Sequence, residues 1–128
     1  MTLIIEKAKW RDYFQSLSRE FIDWQTTVQI FDPNDGAQTL SEGLPFGGLT
    51  FEPRGDNDTI MLSMGIGPDT HQNHNITGVT KVAFEPSGIG PAGTVDIENS
   101  AGTKTLITFV QPMPVLMEYV AAEIVAVG

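Results

Sequence analysis

The sequence contains no cysteine, which excludes disulfide bonds, thiolate metal sites and a thiol nucleophile. It also lacks any apolar run approaching the ~20 residues that a membrane-spanning helix needs. The apolar start at Leu3–Ile5 is too short for the core of a signal peptide, and Glu6 ends it. We therefore predict a soluble, cytoplasmic protein that does not act on a membrane.

Basic residues are scarce, and the resulting negative charge is unevenly distributed. Residues 1–24 hold four basic and four acidic groups, whereas residues 25–128 hold three basic groups against twelve acidic ones. The second region therefore carries the whole net charge of −9. A surface of this sign repels phosphate backbones, so no nucleic-acid partner is expected.

A chain of 128 residues with 41% hydrophobic and 18% charged residues is typical of one globular domain, and we predict a single domain over residues 1–128. Near the N-terminus, apolar side chains recur at spacings of three and four, which places them on one stripe of a helix. The stripe consists of Trp10, Tyr13, Phe14, Leu17 and Phe21. This pattern predicts an amphipathic helix over about residues 7–22.

Much of the remaining chain alternates apolar with polar residues, between segments rich in Gly, Pro, Asn and Asp. We predict strands over about residues 26–31, 46–52, 59–64, 76–85, 94–99 and 103–110. A short helix is predicted over about residues 114–122, with Pro114 in its first turn. The fold class is therefore α+β, with the N-terminal helix packed on a mainly antiparallel meander sheet or a half-open small barrel, and a short C-terminal helix.

Residues 94–109 give the most definite local prediction, a β-hairpin. A three-residue loop over residues 100–102, with Gly102 in the left-handed conformation, places Glu98 opposite Lys104. In this register one buried face carries Val95, Ile97, Ile107 and Phe109. Asp96 and Glu98 then lie on the solvated face, where ordinary surface polarity explains them.

The final segment, residues 112–128, is apolar and contains only two charged residues, Glu118 and Glu123. A surface helix normally shows a polar face, so the segment is either buried in its own domain, which we favour, or forms a contact between subunits. For such a contact we predict the interface residues Met113, Leu116, Met117 and Val120. Two earlier methionines, Met61 and Met64, are expected to join Met113 and Met117 in one methionine-rich patch.

The clearest candidates for ligand binding are His71 and His74, three residues apart and close to Asp69. Imidazole and carboxylate groups bind zinc and transfer protons, so small-ligand binding, metal binding or weak hydrolysis could take place here. A zinc site needs a third ligand, and Asp69 is the only near one in sequence. The neighbouring Pro68 and Asn73 favour a polar loop with a structural role, and no bound metal or cofactor is predicted.

Residues 88–93 read Gly-Ile-Gly-Pro-Ala-Gly, which are the letters of a dinucleotide-binding motif. That motif places the N-terminus of a helix against a pyrophosphate, whereas a β-rich segment follows here, so we predict a loop. The sequence shows no two carboxylates converging as an acid and a base, and an enzyme is not favoured.

The segment over residues 44–54, Leu-Pro-Phe-Gly-Gly-Leu-Thr-Phe-Glu-Pro-Arg, followed by Asp-Thr-Ile at 58–60, resembles a segment of a family of small bacterial proteins catalogued as a domain of unknown function. The resemblance extends to His74, Lys81, Val82 and the hairpin over residues 97–103, and less closely to Trp10 and Phe14. The loop over residues 65–73 and the link over residues 88–93 depart from it. The resemblance implies a complete domain and no particular activity.

These observations predict a non-catalytic domain that acts through self-association or through interaction with another protein. The alternative is small-ligand binding, metal binding or weak hydrolase activity at the His71–His74 loop.

Overall fold

The computed structural model describes residues 2–55, 57–65, 71–86 and 93–112. A 3-10 turn, Lys7–Lys9, runs directly into one helix, α1 (Trp10–Glu20). The strands within these ranges are β1 (Leu3–Ile5), β2 (Trp24–Asp32), β3 (Gly36–Glu52), β4 (Thr59–Met64), β5 (Gln72–Thr77), β6 (Val79–Pro86), β7 (Gly93–Asn99) and β8 (Lys104–Pro112). No helix among the described residues is long and apolar enough to cross a membrane.

The strands form one sheet in the order β1-β6-β7-β8-β2-β3-β4-β5, and every neighbouring pair is antiparallel. Two meanders, β6–β8 and β2–β5, are joined side by side through the pairing of β8 with β2. An antiparallel sheet with one N-terminal helix is therefore confirmed. The predicted C-terminal helix lies outside the described residues.

The sheet curls strongly, as its connections show. Gly78 alone separates β5 from β6, although β5 is at one end of the sheet and β6 is next to the other end. Its φ of 66° is a conformation that glycine adopts without strain. The amide of Val79 also donates a hydrogen bond of 3.1 Å to the carbonyl oxygen of Asp58. The start of β6 therefore lies against the start of β4.

The core lies between α1 and one face of this sheet, and aromatic side chains occupy its centre. Phe21 stacks on Phe109 with ring centroids 4.4 Å apart, and Phe46 contacts Phe109 edge-on at 4.9 Å. The predicted helical stripe is buried at Trp10, Phe14, Leu17 and Phe21, and Tyr13 is half-buried at its margin. The stripe is thus confirmed, although the α-helix begins three residues later than predicted.

The hairpin prediction for β7 and β8 is confirmed in its register, its turn and its buried face, but not for Asp96, which is partly buried. Glu98 pairs with Lys104, and Gly102 has a φ of 85° in the three-residue loop. Asn99 stabilises this loop because its side-chain oxygen accepts bonds from the amides of Ala101 and Thr103. The four side chains expected on the buried face, Val95, Ile97, Ile107 and Phe109, are fully buried.

Two strand predictions were wrong. The first half of β3, residues 36–45, was not predicted because its residues do not alternate between apolar and polar. Irregularities in the β2–β3 register between Thr26 and Thr27 and between Val28 and Gln29 break the period there. The predicted strand over residues 76–85 is in fact two strands divided at Gly78, and β5 extends back to Gln72, into the segment predicted as a loop.

Candidate binding groove between the helix and the third strand

A groove runs along one side of α1, between the helix and the second half of β3. It consists of two depressions, of about 470 Å³ and about 550 Å³, which share Arg11 and Phe51 in their walls. We call this feature the α1–β3 groove. It is open to solvent along its length, so it suits an elongated ligand better than an enclosed small molecule.

The helix is fixed to β3 by Ser18. The Leu49 amide donates a hydrogen bond of 3.0 Å to the Ser18 hydroxyl oxygen, and the hydroxyl can donate to the Leu49 carbonyl oxygen at 3.4 Å. Leu49 follows a bulge, because the β3–β4 register shifts between Phe46 and Gly48. Gly48 has a φ of 136°, and a Cβ at this position would lie 3.1 Å from the Ser18 oxygen. Glycine therefore allows the close approach of the helix to the strand.

The floor of the groove is apolar. Phe14 and Leu49 are buried beneath it, and the half-buried ring of Phe51 forms part of its surface. The indole of Trp10 packs edge-on against Phe51 with ring centroids 5.3 Å apart. The Trp10 indole nitrogen is held in turn by the Ile5 carbonyl oxygen at 2.9 Å. The floor is therefore apolar, and the buried Trp10 packs against its half-buried ring, Phe51.

The rim of the groove carries Lys7, Arg11 and Arg19, with two acidic residues, Asp12 and Asp58, at its Lys7 end. Lys7, Arg11 and Arg19 recur at multiples of four residues, which places them along one side of the helical segment. Lys7 forms an ion pair with Asp58 at one end of the groove. Among the described residues, Arg11 and Arg19 take part in no ion pair. Arg19 is also well placed to offset the helix dipole near its C-terminal end, which is a structural role that needs no ligand.

The carboxylate of Asp58 holds the Lys7 end of the groove in place. Its side chain is only 7% exposed, and it accepts a hydrogen bond of 3.3 Å from the Arg54 amide in addition to the Lys7 ion pair. The hydrogen bond with Lys7 is the main cause that lowers the pKa of Asp58, so this group remains ionised near neutral pH. Its partners are all supplied by the fold, and we assign it a structural role.

The predicted histidine site is spread over two faces of an edge strand. His74 lies in β5 opposite Leu62, on the face that carries the core, and burial lowers the pKa of its imidazole. His71 precedes β5, is exposed, and has its Nε2 atom 3.5 Å from the hydroxyl oxygen of Ser63 on the other face. Asp69 lies outside the described residues. Among those that are described, no group of three or more His, Asp or Glu side chains is arranged to hold a metal ion.

The predicted interface residues Met113, Leu116, Met117 and Val120 also lie outside the described residues. The expected patch containing Met61 and Met64 is wrong in one respect, because a separation of three along β4 puts the two side chains on opposite faces of the sheet. Met64 is fully buried, and its sulfur lies 3.2 Å from the Ser41 hydroxyl oxygen.

A second polar cluster, which we call the β6–β8 face, lies on the side of the sheet opposite the core. Glu98 on β7 is paired with Lys81 on β6 and with Lys104 on β8, and the Lys81 nitrogen lies 3.5 Å from its carboxylate. These two lysines and Glu98 line a cleft of about 420 Å³ together with Asp96. The opposite charges in this cluster compensate one another.

Asp96 is the unusual member of the β6–β8 face. Burial, a hydrogen bond with Glu98 and the charge of Glu98 raise the pKa of Asp96 from 3.8 to about 6. Burial also opposes ionisation of Glu98, but the hydrogen bond with Asp96 and the two lysines outweigh it and lower the pKa of Glu98. The Asp96 Oδ1 atom is buried without a hydrogen-bond partner within the described residues. The pair can therefore hold one proton in mildly acidic solution, up to about pH 6.

Sequence reasoning placed Asp96 on an ordinary solvated face and missed its burial. Asp96 is flanked across the sheet by Ala83 on β6 and Leu106 on β8, neither of which is near it in sequence. The α1–β3 groove was missed as well, although the concentration of basic residues in the first 24 positions was a usable signal.

The chain is similar to the members of one known protein family. The model of a family of unknown function, DUF5335, matches residues 1–116. An uncharacterized protein of Aquifex aeolicus (strain VF5) is 25% identical over 113 residues, which cover 88% of this chain and 96% of that protein. No solved structure matches the chain. Because the family model spans most of the sequence, the chain belongs to the DUF5335 family of proteins of unknown function.

Proposed function

We propose that the protein is a non-catalytic binding domain that acts through protein interaction, and that its α1–β3 groove receives a polypeptide segment that is both apolar and acidic. One observation carries the proposal. In a chain of net charge −9, two arginines without ion pairs among the described residues line a depression whose apolar floor is open to solvent through the half-buried ring of Phe51.

The chemistry of the rim favours carboxylates. Arginine presents a planar fork of donors that matches a carboxylate and also packs on aromatic rings, and it is enriched at protein interfaces. Phe51 provides such a ring in the depression that Arg11 and Arg19 also line. The apolar floor supplies contact area, and the arginines supply the preference for acidic partners.

The dimensions favour a short stretch of polypeptide. The 11 residues of α1 correspond to about 16 Å of helix, the length of about five extended residues. A nucleic acid of the same width would meet the acidic remainder of the surface, which would repel it. The alternative of ligand or metal binding at the His71–His74 loop has no comparable support, because the two imidazoles face opposite sides of the sheet.

A labelled synthetic peptide of alternating leucine and glutamate tests the proposal by fluorescence anisotropy with the full chain. We expect binding that weakens about tenfold or more in the variant Arg11→Glu with Arg19→Glu, because two attractive pairs become repulsive. A peptide with lysine in place of glutamate should not bind the original protein.

The matched control is Lys9→Glu, which makes the same change of charge as Arg11→Glu on the other side of the helical segment. It should leave peptide binding almost unchanged. Equal loss of affinity in Lys9→Glu and Arg11→Glu would mean that only the net charge matters, and the proposed groove would be refuted. Absence of any binding to the acidic peptide would refute it too.

A further inference from the structure

We infer that the polypeptide received by the α1–β3 groove is the C-terminal segment, residues 113–128, of a second copy of this chain. The inference rests on the proposed function and names the partner of the same groove. Each copy would offer one groove and one segment, so two copies can exchange segments in a closed, two-fold symmetric dimer.

The composition of the segment matches the groove. Its sixteen residues contain two acidic side chains, Glu118 and Glu123, and no basic one. The other residues are almost all apolar, among them Leu116, Met117 and Val120. The segment is thus apolar and acidic, which is the chemistry that an apolar floor lined by two arginines accommodates.

The spacing of the charges is compatible as well. Arg11 and Arg19 are eight residues apart on α1, or about 12 Å along its axis. Glu118 and Glu123 are five residues apart, which is about 7.5 Å in a helix and about 17 Å in an extended chain. Both glutamate spacings differ from the arginine spacing by about 5 Å. The long side chains of arginine and glutamate can span such a difference, so both carboxylates can reach the rim at once.

The point at which the segment leaves the sheet favours a second copy over the same chain. Pro112 ends β8 opposite Trp24, just beyond the C-terminal end of α1. The prolines at positions 112 and 114 disfavour a helical turn directly after β8, which opposes an abrupt reversal of the chain towards its own α1. Sixteen residues can span about 50 Å when extended, which is ample to reach a neighbouring copy.

Sedimentation velocity of the full chain over a range of concentrations tests the inference through a charge exchange. The first variant carries Arg11→Glu and Arg19→Glu, and the second carries Glu118→Arg and Glu123→Arg. The original chain should form a dimer. Each variant alone should dissociate at about tenfold or more higher concentration, because its groove and its segment then have like charge.

The mixture of the two variants is the decisive sample. In a dimer of one copy of each, both groove–segment contacts again join opposite charges, so association should return to near the original strength. Recovery on mixing also shows that both variants are folded. Docking of the segment within its own chain would give no recovery, and that result would overturn the inference.

A monomer at every concentration, or a dimer unaffected by Arg11→Glu with Arg19→Glu, would also overturn the inference. These failures are distinguishable from failure of the proposed function. If the chain remains monomeric but binds the leucine–glutamate peptide through Arg11 and Arg19, the groove is a binding site and its partner is not a second copy of the chain.

Discussion

The α1–β3 groove and the β6–β8 face both carry basic side chains, but they use them differently. On the β6–β8 face, Lys81 forms an ion pair with Glu98. Lys104 forms no ion pair among the described residues, but its charge favours the ionised form of both Asp96 and Glu98, so it too acts on charges of the fold. In the groove, Arg11 and Arg19 have no ion pair among the described residues and border an apolar floor. The comparison indicates that the first set of charges serves the fold and that the second set is available to a partner.

The two regions also differ in how a buried polar group is treated. At the groove, the Leu49 amide exposed by the β3 bulge receives a partner from Ser18. On the β6–β8 face, Asp96 is partly buried beside another carboxyl group and has a raised pKa. The buried amide at the groove is therefore hydrogen-bonded. On the β6–β8 face, by contrast, ionisation of the partly buried carboxyl group destabilises the fold.

The largest effect is expected from Gly48→Ala, which should displace the helix from β3 and leave the β6–β8 face intact. We expect a loss of about 2 kcal/mol in the free energy of unfolding, since alanine is strained at a φ of 136° and its Cβ would crowd Ser18. Urea unfolding measures this loss. Gly55→Ala, at a φ of 66° with open space around it, should cost only about 1 kcal/mol. Equal losses would contradict the tight contact at Gly48.

The substitution Asp96→Asn should change how the stability of the protein depends on pH. Because the folded-state pKa of Asp96 is raised to about 6, its stabilising contribution is complete below about pH 3.8 and is lost as the pH rises through about 6. We expect the amide to increase the free energy of unfolding by about 1 kcal/mol near pH 8, after allowance for partial exposure, and to change it little at acidic pH.

Urea unfolding across this pH range is the measurement, with the exposed Glu42→Gln as a control that should not change the pH profile. An Asp96→Asn variant whose stability follows the original pH profile would show that Asp96 ionises freely in the folded state.

The smallest effect is expected from Lys81→Gln. Its ion pair with Glu98 is 3.5 Å long and 45% of the lysine side chain is exposed, so we expect a loss of about 0.5 kcal/mol that disappears at high salt. Thermal unfolding at low and high salt measures it. Arg11→Gln should leave stability unchanged but weaken peptide binding. Lys81→Gln should lower stability and leave peptide binding unchanged. If Arg11→Gln lowered stability and Lys81→Gln weakened peptide binding, the roles assigned to the two regions would be wrong.

The parts of the fold that the sequence predicted are those fixed by local periodicity. The stripe from Trp10 to Phe21 and the β7–β8 hairpin were correct, because the spacing of their apolar residues and the turn at Gly102 are local properties. The first half of β3 and the strand β5 were missed. Their residues are mostly exposed and polar, and their positions depend on the partner strands β2 and β4.

The groove could be anticipated only in part. The charges of Arg11 and Arg19 are evident in the sequence, but the floor is supplied by Leu49 and Phe51, about 30 to 40 residues further along the chain. The bulge that brings Leu49 to Ser18 depends on a conformation of Gly48 that no pattern of apolar residues encodes. Similarly, the raised pKa of Asp96 comes from neighbours on two other strands.

The pairing of β2 with β8 has a consequence for the synthesis of the protein. Residues near Gln29 are made early, but their partners near Leu106 are made about 80 residues later. At about 5–20 residues per second, β2 waits on the order of 4–16 s on the ribosome for one of its two neighbours. During that interval one edge of β2 lacks its neighbouring strand, so the nascent chain is most exposed to mispairing before β8 emerges.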